Sequence, residues 1–291
     1  MNSNHTKNLF LGGLLALLSA LPTIAQKQPT LGNRSAEILH IGGLQFKDLN
    51  KNKKLDTYED WRLPIDARVK DLVSQMNLEE KVGFMLISTT RMGGDQVFGA
   101  GVQPGGPQKP ITEDFNEDDL VQSTNMFTRK PLPSPNLSAA GTTKAITKFQ
   151  LRHFILRANP APDVLAKWSN NLQALCETSR LGIPAIVASN PRNHVTTDAS
   201  VGLSVGVTAF SKWPGELGLA AMRDFKLTRK FAETAAQEWR AVGLRKGYMY
   251  MADLATEPRW QRVEGTFGED ADLTANMITQ IVLGFQGTKL S

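Results

Sequence analysis

Apolar residues recur at helical spacing in several stretches of this chain. Val69, Leu72, Val73 and Met76 stand at i, i+3, i+4 and i+7, which predicts an amphipathic helix over residues 66–76. Asn77, followed three residues later by Glu80, has the spacing of a capping box for the next helix, and residues 81–90 then turn apolar and lead into a strand. Residues 144–156 and 164–179 read as helices broken at Asn159-Pro-Ala-Pro162. Residues 183–189 read as a short buried strand. Residues 226–242 read as a helix facing inward through Phe231, Ala235, Trp239 and Val242. A last apolar run, 248–254, predicts a strand, and Leu273, Met277, Ile281 and Phe285 mark one stripe of a final helix. Between these, residues 26–43 look polar and irregular, and residues 91–143, rich in Gly, Pro, Asn and Asp, look like a long surface excursion. Alternation of strand and helix after residue 80 predicts an α/β fold with a parallel sheet and about three βα units. A closed (β/α)8 barrel has eight such units.

The 291 residues, 41% of them apolar, suffice for a sizeable core. A net charge of +5, carried by dispersed lysines and arginines without a basic stripe, speaks against nucleic-acid binding. The amino terminus has the pattern of a secretory signal: Lys7, an apolar core from Leu9 to Leu21, and Thr23-Ile-Ala25 before the expected cleavage. That core is shorter than the ~20 residues a membrane span needs, so no membrane association is expected after cleavage. The expected location is periplasmic or secreted. The single cysteine, Cys176, falls on an apolar helical stripe and reads as a core residue.

Two stretches carry candidate chemistry. Asp48, Asn50, Asn52, Lys54 (through its carbonyl), Asp56 and Glu59 occupy positions 1, 3, 5, 7, 9 and 12 of a calcium loop, which wraps oxygen ligands around a hard cation. Position 6, usually Gly, is Lys53, so the stretch reads either as a structural calcium site or as a plain polar turn. The second stretch is Glu257-Pro-Arg-Trp-Gln-Arg-Val-Glu-Gly-Thr-Phe-Gly-Glu-Asp270, a polar loop between strand and helix. An aromatic face flanked by Arg259 and Arg262 suits a sugar ring.

That loop resembles the Pro-Arg-Trp-x-Arg…Phe-Gly-Glu-Asp signature of glycoside hydrolase family 3, the β-glucosidase and β-xylosidase type. Leu78-Glu-Glu-Lys-Val-Gly83, Arg180-Leu-Gly-Ile-Pro184 and Trp213-Pro-Gly…Gly218-Leu-Ala-Ala221 resemble further segments of that family in the same order. The resemblance implies a partial TIM-type (β/α)8 barrel, amino-terminal portion only, over residues 63–291, preceded by a signal peptide (1–25) and a leader with the candidate calcium loop (26–62). It implies a carbohydrate substrate of the β-glucoside kind, a retaining mechanism and no cofactor required for catalysis. Asn190 stands where the family has an aspartate that holds sugar hydroxyls, with Arg192 and His194 beside it, and Arg262 resembles the arginine that grips the same sugar. Retaining hydrolysis needs two carboxyl groups about 5–5.5 Å apart. The family's Lys-His and Ser-Asp motifs do not occur here, so no catalytic residue is assigned. The reading is a truncated chain that another polypeptide would complete, or else a non-catalytic carbohydrate-binding or calcium-stabilised fragment.

Overall fold

A computed structural model describes residues 27–95, 110–125, 128, 130–195 and 209–287. The chain divides into two units, Met1–Thr30 and Leu31–Ser291, and every element named below lies in the second. The expected signal peptide, residues 1–25, lies outside the described residues.

Strands β1 (Glu37–Ile41) and β2 (Leu44–Asp48) form an antiparallel hairpin, so part of the leader is a regular ribbon and not irregular chain. Gly42 and Gly43 make its two-residue turn, both with positive φ, the conformation glycine adopts without steric cost. Phe46 is sealed from solvent, stacked on Trp61 at 5.4 Å and lying under the Arg62 guanidinium at 4.8 Å. Helix α1 (Ile65–Gln75) follows, then α2 (Leu78–Met85), whose capping box is present in full: Asn77 accepts from Glu80 N and Glu80 accepts from Asn77 N. The apolar stripe of α1 is only partly covered. Leu72 and Met76 pack on Leu181 and Ile183, whereas Val69 and Val73 face solvent.

Strand β3 (Ile87–Thr90) opens the central sheet. The predicted excursion after it contains two antiparallel ribbons, β4 (Met92–Gly93) with β5 (Thr112–Phe115) and β6 (Leu120–Thr124) with β7 (Pro131–Ala139). Helix α3 (Thr142–Thr147) is short, and the predicted helical stretch 144–156 ends in a strand instead, β8 (His153–Leu156). Four residues of apolar and aromatic chain are too few to show a period, and here burial between two parallel neighbours decides the outcome. Helix α4 (Pro162–Thr178) leads to β9 (Ile186–Ser189), then α5 (Glu216–Met222) and α6 (Phe225–Ala241). Strand β10 is only Lys246–Gly247, so the strand predicted over 248–254 is displaced. Tyr248 N still donates to Ser189 O at 2.8 Å, and the chain then leaves the sheet. A 3-10 turn (Val263–Gly265) precedes helix α7 (Ala271–Gln286).

Among the described residues, the sheet runs β3-β8-β9-β10, all parallel. That is four strands where the pattern predicted about three units. Trp168, Leu172 and Cys176 of α4 pack on Phe154, Leu156 and Val187 of the sheet and on Trp239 of α6. A second cluster joins Phe231 and Ala235 of α6 to Met277 and Ile281 of α7 and to Phe267. Helices α6 and α7 meet closely because residue 284 is glycine: a Cβ there would stand 2.4 Å from Ala232 Cβ.

Glu177, near the end of α4, fastens the leader to this core. One carboxylate oxygen accepts from the backbone N–H groups of Arg34, Ser35 and Ala36 at 2.7, 2.9 and 3.3 Å, and the other meets Lys47 Nζ at 2.6 Å. Burial alone would raise its pKa, but the Lys47 ammonium and the three amides outweigh burial and hold it at about 2. Removing a buried, paired carboxylate leaves its donors unsatisfied. Glu177→Ala is expected to destabilise the fold by about 3 kcal/mol. Because the folded pKa is depressed, the wild-type contribution is present above the ordinary carboxylate range and fades as pH falls toward 2. Urea melts at pH 7 and pH 3 should therefore show a smaller gap between wild type and variant at the lower pH.

Candidate functional site

The carboxyl ends of parallel strands are where a βα fold places its ligand loops. At the end of β9, Ser189-Asn-Pro-Arg-Asn-His194 is almost wholly buried. Arg192 Nε donates to Ser189 Oγ at 2.9 Å and its Nη2 donates to Ala158 O at 2.9 Å, tying the end of β9 to the end of β8. Desolvation pushes the guanidinium down to about 10. Asn193 is the hub of the loop: its amide nitrogen donates to Ser211 and to the Glu238 carboxylate, and its amide oxygen accepts from Trp239 Nε1 at 3.0 Å. His194 forms a parallel bridge with Trp213, extended by Val195 N to Trp213 O and Trp213 N to Asn193 O, both 2.8 Å. Asn190, at 2% exposure, is closed in by the same loop.

The His194 ring is caged by aromatics, 5.5 Å from Phe231 and 5.6 Å from Tyr250. Its Nε2 lies 3.6 Å from Glu216 Oε2 in the first turn of α5. Burial drives the imidazole down to about 4, against a partial pull upward from the backbone of Pro214 and Trp213. Burial likewise raises the Glu216 carboxyl to about 7; its own backbone N–H opposes the rise and the nearby Glu264 carboxylate adds to it. The Tyr250 phenol, shut off from solvent and facing Glu216, is pushed well above its ordinary value. A neutral imidazole beside a protonated carboxyl is thus the form this pocket favours at mildly acidic pH.

Glu264 belongs to the 3-10 turn, which packs against α5 and brings that carboxylate near Glu216. Arg262 is half-buried and starts that turn, Gly265 N donating to Arg262 O at 3.0 Å. Arg259 lies outside it, forked to the exposed Glu257 at 2.8 Å through both Nε and Nη2. Asn190, Arg192 and His194 therefore share one loop, and the turn carrying Arg262 packs against α5. Sequence reasoning missed Asn193, Glu216 and Tyr250. The signal for Glu216 was a lone carboxylate opening an otherwise apolar helix directly after Trp213-Pro-Gly.

The family model for the glycosyl hydrolase family 3 N terminal domain matches residues 138–291, more than half of the chain. The chain belongs to glycosyl hydrolase family 3. It is 41% identical over 281 residues to a periplasmic β-glucosidase/β-xylosidase of Dickeya chrysanthemi, covering 94% of this chain and 38% of that protein. It is 35% identical over 241 residues to a probable β-glucosidase C of Aspergillus oryzae, covering 82% of this chain and 32% of that protein. The chain thus spans about a third of the length of these relatives. A solved β-glucosidase of Erythrobacter marinus superposes on 80% of this chain and 24% of its own, with TM-score 0.53 and 21% identity, a likeness of fold. The family's amino-terminal domain is a TIM-barrel-like α/β domain, and the parallel strands β3, β8, β9 and β10 are part of such a barrel.

The candidate calcium loop is a separate feature. Asp48 accepts from Asn52 N at 3.1 Å and Lys53 N at 2.9 Å, and Lys53 takes φ of 62°, the left-handed turn that glycine usually supplies at this position. Asn52 Oδ1 accepts from Lys54 N at 2.7 Å, and Asp56 accepts from the side-chain amides of Asn50 and Asn52. Glu59 accepts from Leu49 N, Asn50 N and Asp56 N. The all-oxygen donor set and the turn fit a hard cation. The carboxylates here are turned onto the loop's own donors, and among the described residues no three His, Cys, Asp or Glu side chains gather as a metal cage.

The His194–Glu216 pair makes a prediction about pH. The raised carboxyl contributes stability at low pH that is lost as pH rises through about 7. The depressed imidazole contributes stability above its ordinary value that is lost as pH falls through about 4. Between about 4.5 and 6.5 the two slopes oppose each other, because folding moves one proton from imidazole to carboxyl. Glu216→Gln removes one of them. Relative to wild type, its unfolding free energy should gain a positive slope with pH, on the order of 2 kcal/mol across that window. Urea melts at pH 4.5, 5.5 and 6.5 check this; parallel pH profiles for the two proteins would refute it.

Proposed function

We propose that this chain is the sugar-holding amino-terminal portion of an exported β-glycosidase that removes terminal β-linked sugars with retention. The observation that carries the reading is that two polar loops, 190–194 and 257–270, both pack against α5, the first through His194 beside Glu216 and the second through its 3-10 turn and Phe267. The family membership and the names of the Dickeya and Aspergillus relatives support it. Asn190, Arg192, His194 and Arg262 are the residues assigned to the sugar. Arg192, locked onto carbonyl oxygens, serves by shaping the loop, and Asn190 supplies an amide that both donates and accepts. The word periplasmic in the Dickeya relative's name agrees with the export signal read at residues 1–25.

No matched carboxyl pair of the kind retaining hydrolysis uses is assigned to this chain, because the family's Lys-His and Ser-Asp motifs do not occur in its sequence. Purified chain is expected to turn over an aryl β-glucoside at no more than the buffer rate, while glucose protects the amide hydrogens of residues 189–195 from exchange. Turnover within tenfold of a complete family member would overturn the assignment of no catalytic residue. Unchanged exchange at saturating glucose would overturn the sugar site.

The loop Asp48–Glu59 enters this reading as a structural calcium site, a role supported by its oxygen donors and the left-handed turn at Lys53. Calcium at millimolar concentration is expected to raise the melting temperature of wild type and leave Asp48→Ala unmoved. Equal melting with calcium and with chelator would leave the loop a polar turn held by Glu59.

A further inference from the structure

The loop that carries Asn190, Arg192 and His194 is held from behind by helix α6. Two consecutive residues of that helix grip the Asn193 carboxamide from its two ends. Trp239 Nε1 donates to the amide oxygen at 3.0 Å, and the amide nitrogen donates to Glu238 Oε2. An indole N–H can only donate, so the amide oxygen must face Trp239 and the NH2 must face Glu238. The same carboxylate also takes Ser211, whose N donates to Oε1 at 3.1 Å and whose Oγ donates to Oε2 at 2.9 Å. Ser211 Oγ in turn accepts from Trp213 Nε1 at 3.1 Å. Asn193 and Ser211 stand 18 positions apart, on the two segments that the bridge between His194 and Trp213 joins. One half-buried carboxylate thus braces both sides of that bridge.

We propose that Glu238 is a positioning residue for the sugar-holding loop: without touching sugar itself, it holds residues 190–194 in the binding geometry through Asn193 and Ser211. On the strand side the loop is fixed by Arg192 on Ser189 and Ala158, and by Tyr248 N on Ser189 O. On the far side the hold comes from Glu238 and the bridge it braces. A polar loop ordered before its ligand arrives spares the cost of ordering it on binding. The position calls for a carboxylate because Ser211 N, Ser211 Oγ and Asn193 Nδ2 all donate to it. Glutamine keeps the shape but offers one oxygen and one NH2. Whichever way it turns, that NH2 faces either the Ser211 N–H or the Asn193 NH2, donor against donor. The proposal deepens the reading above and rests on it for the ligand.

The test titrates glucose into the full chain by isothermal calorimetry, with urea melts and amide exchange recorded without sugar. Glu238→Gln is expected to raise the glucose Kd by at least about tenfold, the weight of one hydrogen bond to a carboxylate. It should also speed exchange of the Val195 and Trp213 amides, which the bridge protects. Ser211→Ala deletes one hydroxyl, should raise the Kd by about threefold, and gives the answer if the glutamine variant does not fold. Glu177→Ala, whose lost carboxylate anchors the leader, should be less stable yet bind glucose as wild type does. The proposal is overturned if the variants at 238 and 211 bind glucose as wild type does. It is equally overturned if Glu177→Ala loses as much affinity as Glu238→Gln, because the Glu238 carboxylate then serves stability alone. Wild type that binds no glucose overturns the sugar reading, and this proposal with it, before any variant is compared.

Discussion

A guanidinium sealed at the ends of two strands organises this molecule. Arg192 is 1% exposed, yet its acceptors are the Ser189 hydroxyl and the carbonyls of Ala158 and Leu156, the latter at 3.4 Å. Burying a charge costs several kcal/mol unless its donors are satisfied, and the planar fork of arginine reaches acceptors on both β8 and β9 at once. With that fork in place the chain after β9 has little freedom. Asn193 is directed to Ser211, Glu238 and Trp239, and His194 into its bridge with Trp213. A lysine, a point charge on a flexible stem, would reach one acceptor where the fork reaches several.

The same loop sets the electrostatics beyond it. Holding His194 among Phe231, Tyr250 and Trp213 removes water from the imidazole and from Glu216 together. Desolvation then acts on both groups in the sense that disfavours charge, so the pair holds its proton on the carboxyl. A protonated carboxyl can donate a hydrogen bond, which an ionised one cannot. The pocket's chemistry is therefore governed by how dry it is kept, and the aromatic ring cluster is what keeps it dry.

Legibility in the sequence followed the length and regularity of each signal. Helices α4 and α6 carry long apolar stripes, and the stretches 164–179 and 226–242 fall within two residues of their bounds; the stripe from Leu273 to Phe285 lies inside α7, and Cys176, which reads as core, is fully buried. The α2 capping box was equally plain, because Asn77 and Glu80 are local partners. Strand β8 was lost because His153-Phe-Ile-Leu156 is shorter than one period of evidence, and only its two parallel neighbours make it a strand. Strand β10 was displaced because Met249 and Tyr250, apolar enough to suggest sheet, leave it for the α6–α7 cleft and the ring cluster. At the site, residue types that announce chemistry were found, whereas Asn193 and Glu216 gain their importance from contacts 20 or more residues away in the chain, beyond any local pattern.

Glu177 imposes an order on maturation. The amides it holds belong to residues 34–36, which leave the ribosome 141 to 143 positions ahead of it. Local helices can form as they emerge, but contacts of such long separation close late. The hairpin β1–β2 is thus translated well ahead of that carboxylate, and its Lys47 waits for the same partner. Whatever meets the nascent hairpin does so before its anchor on α4 exists.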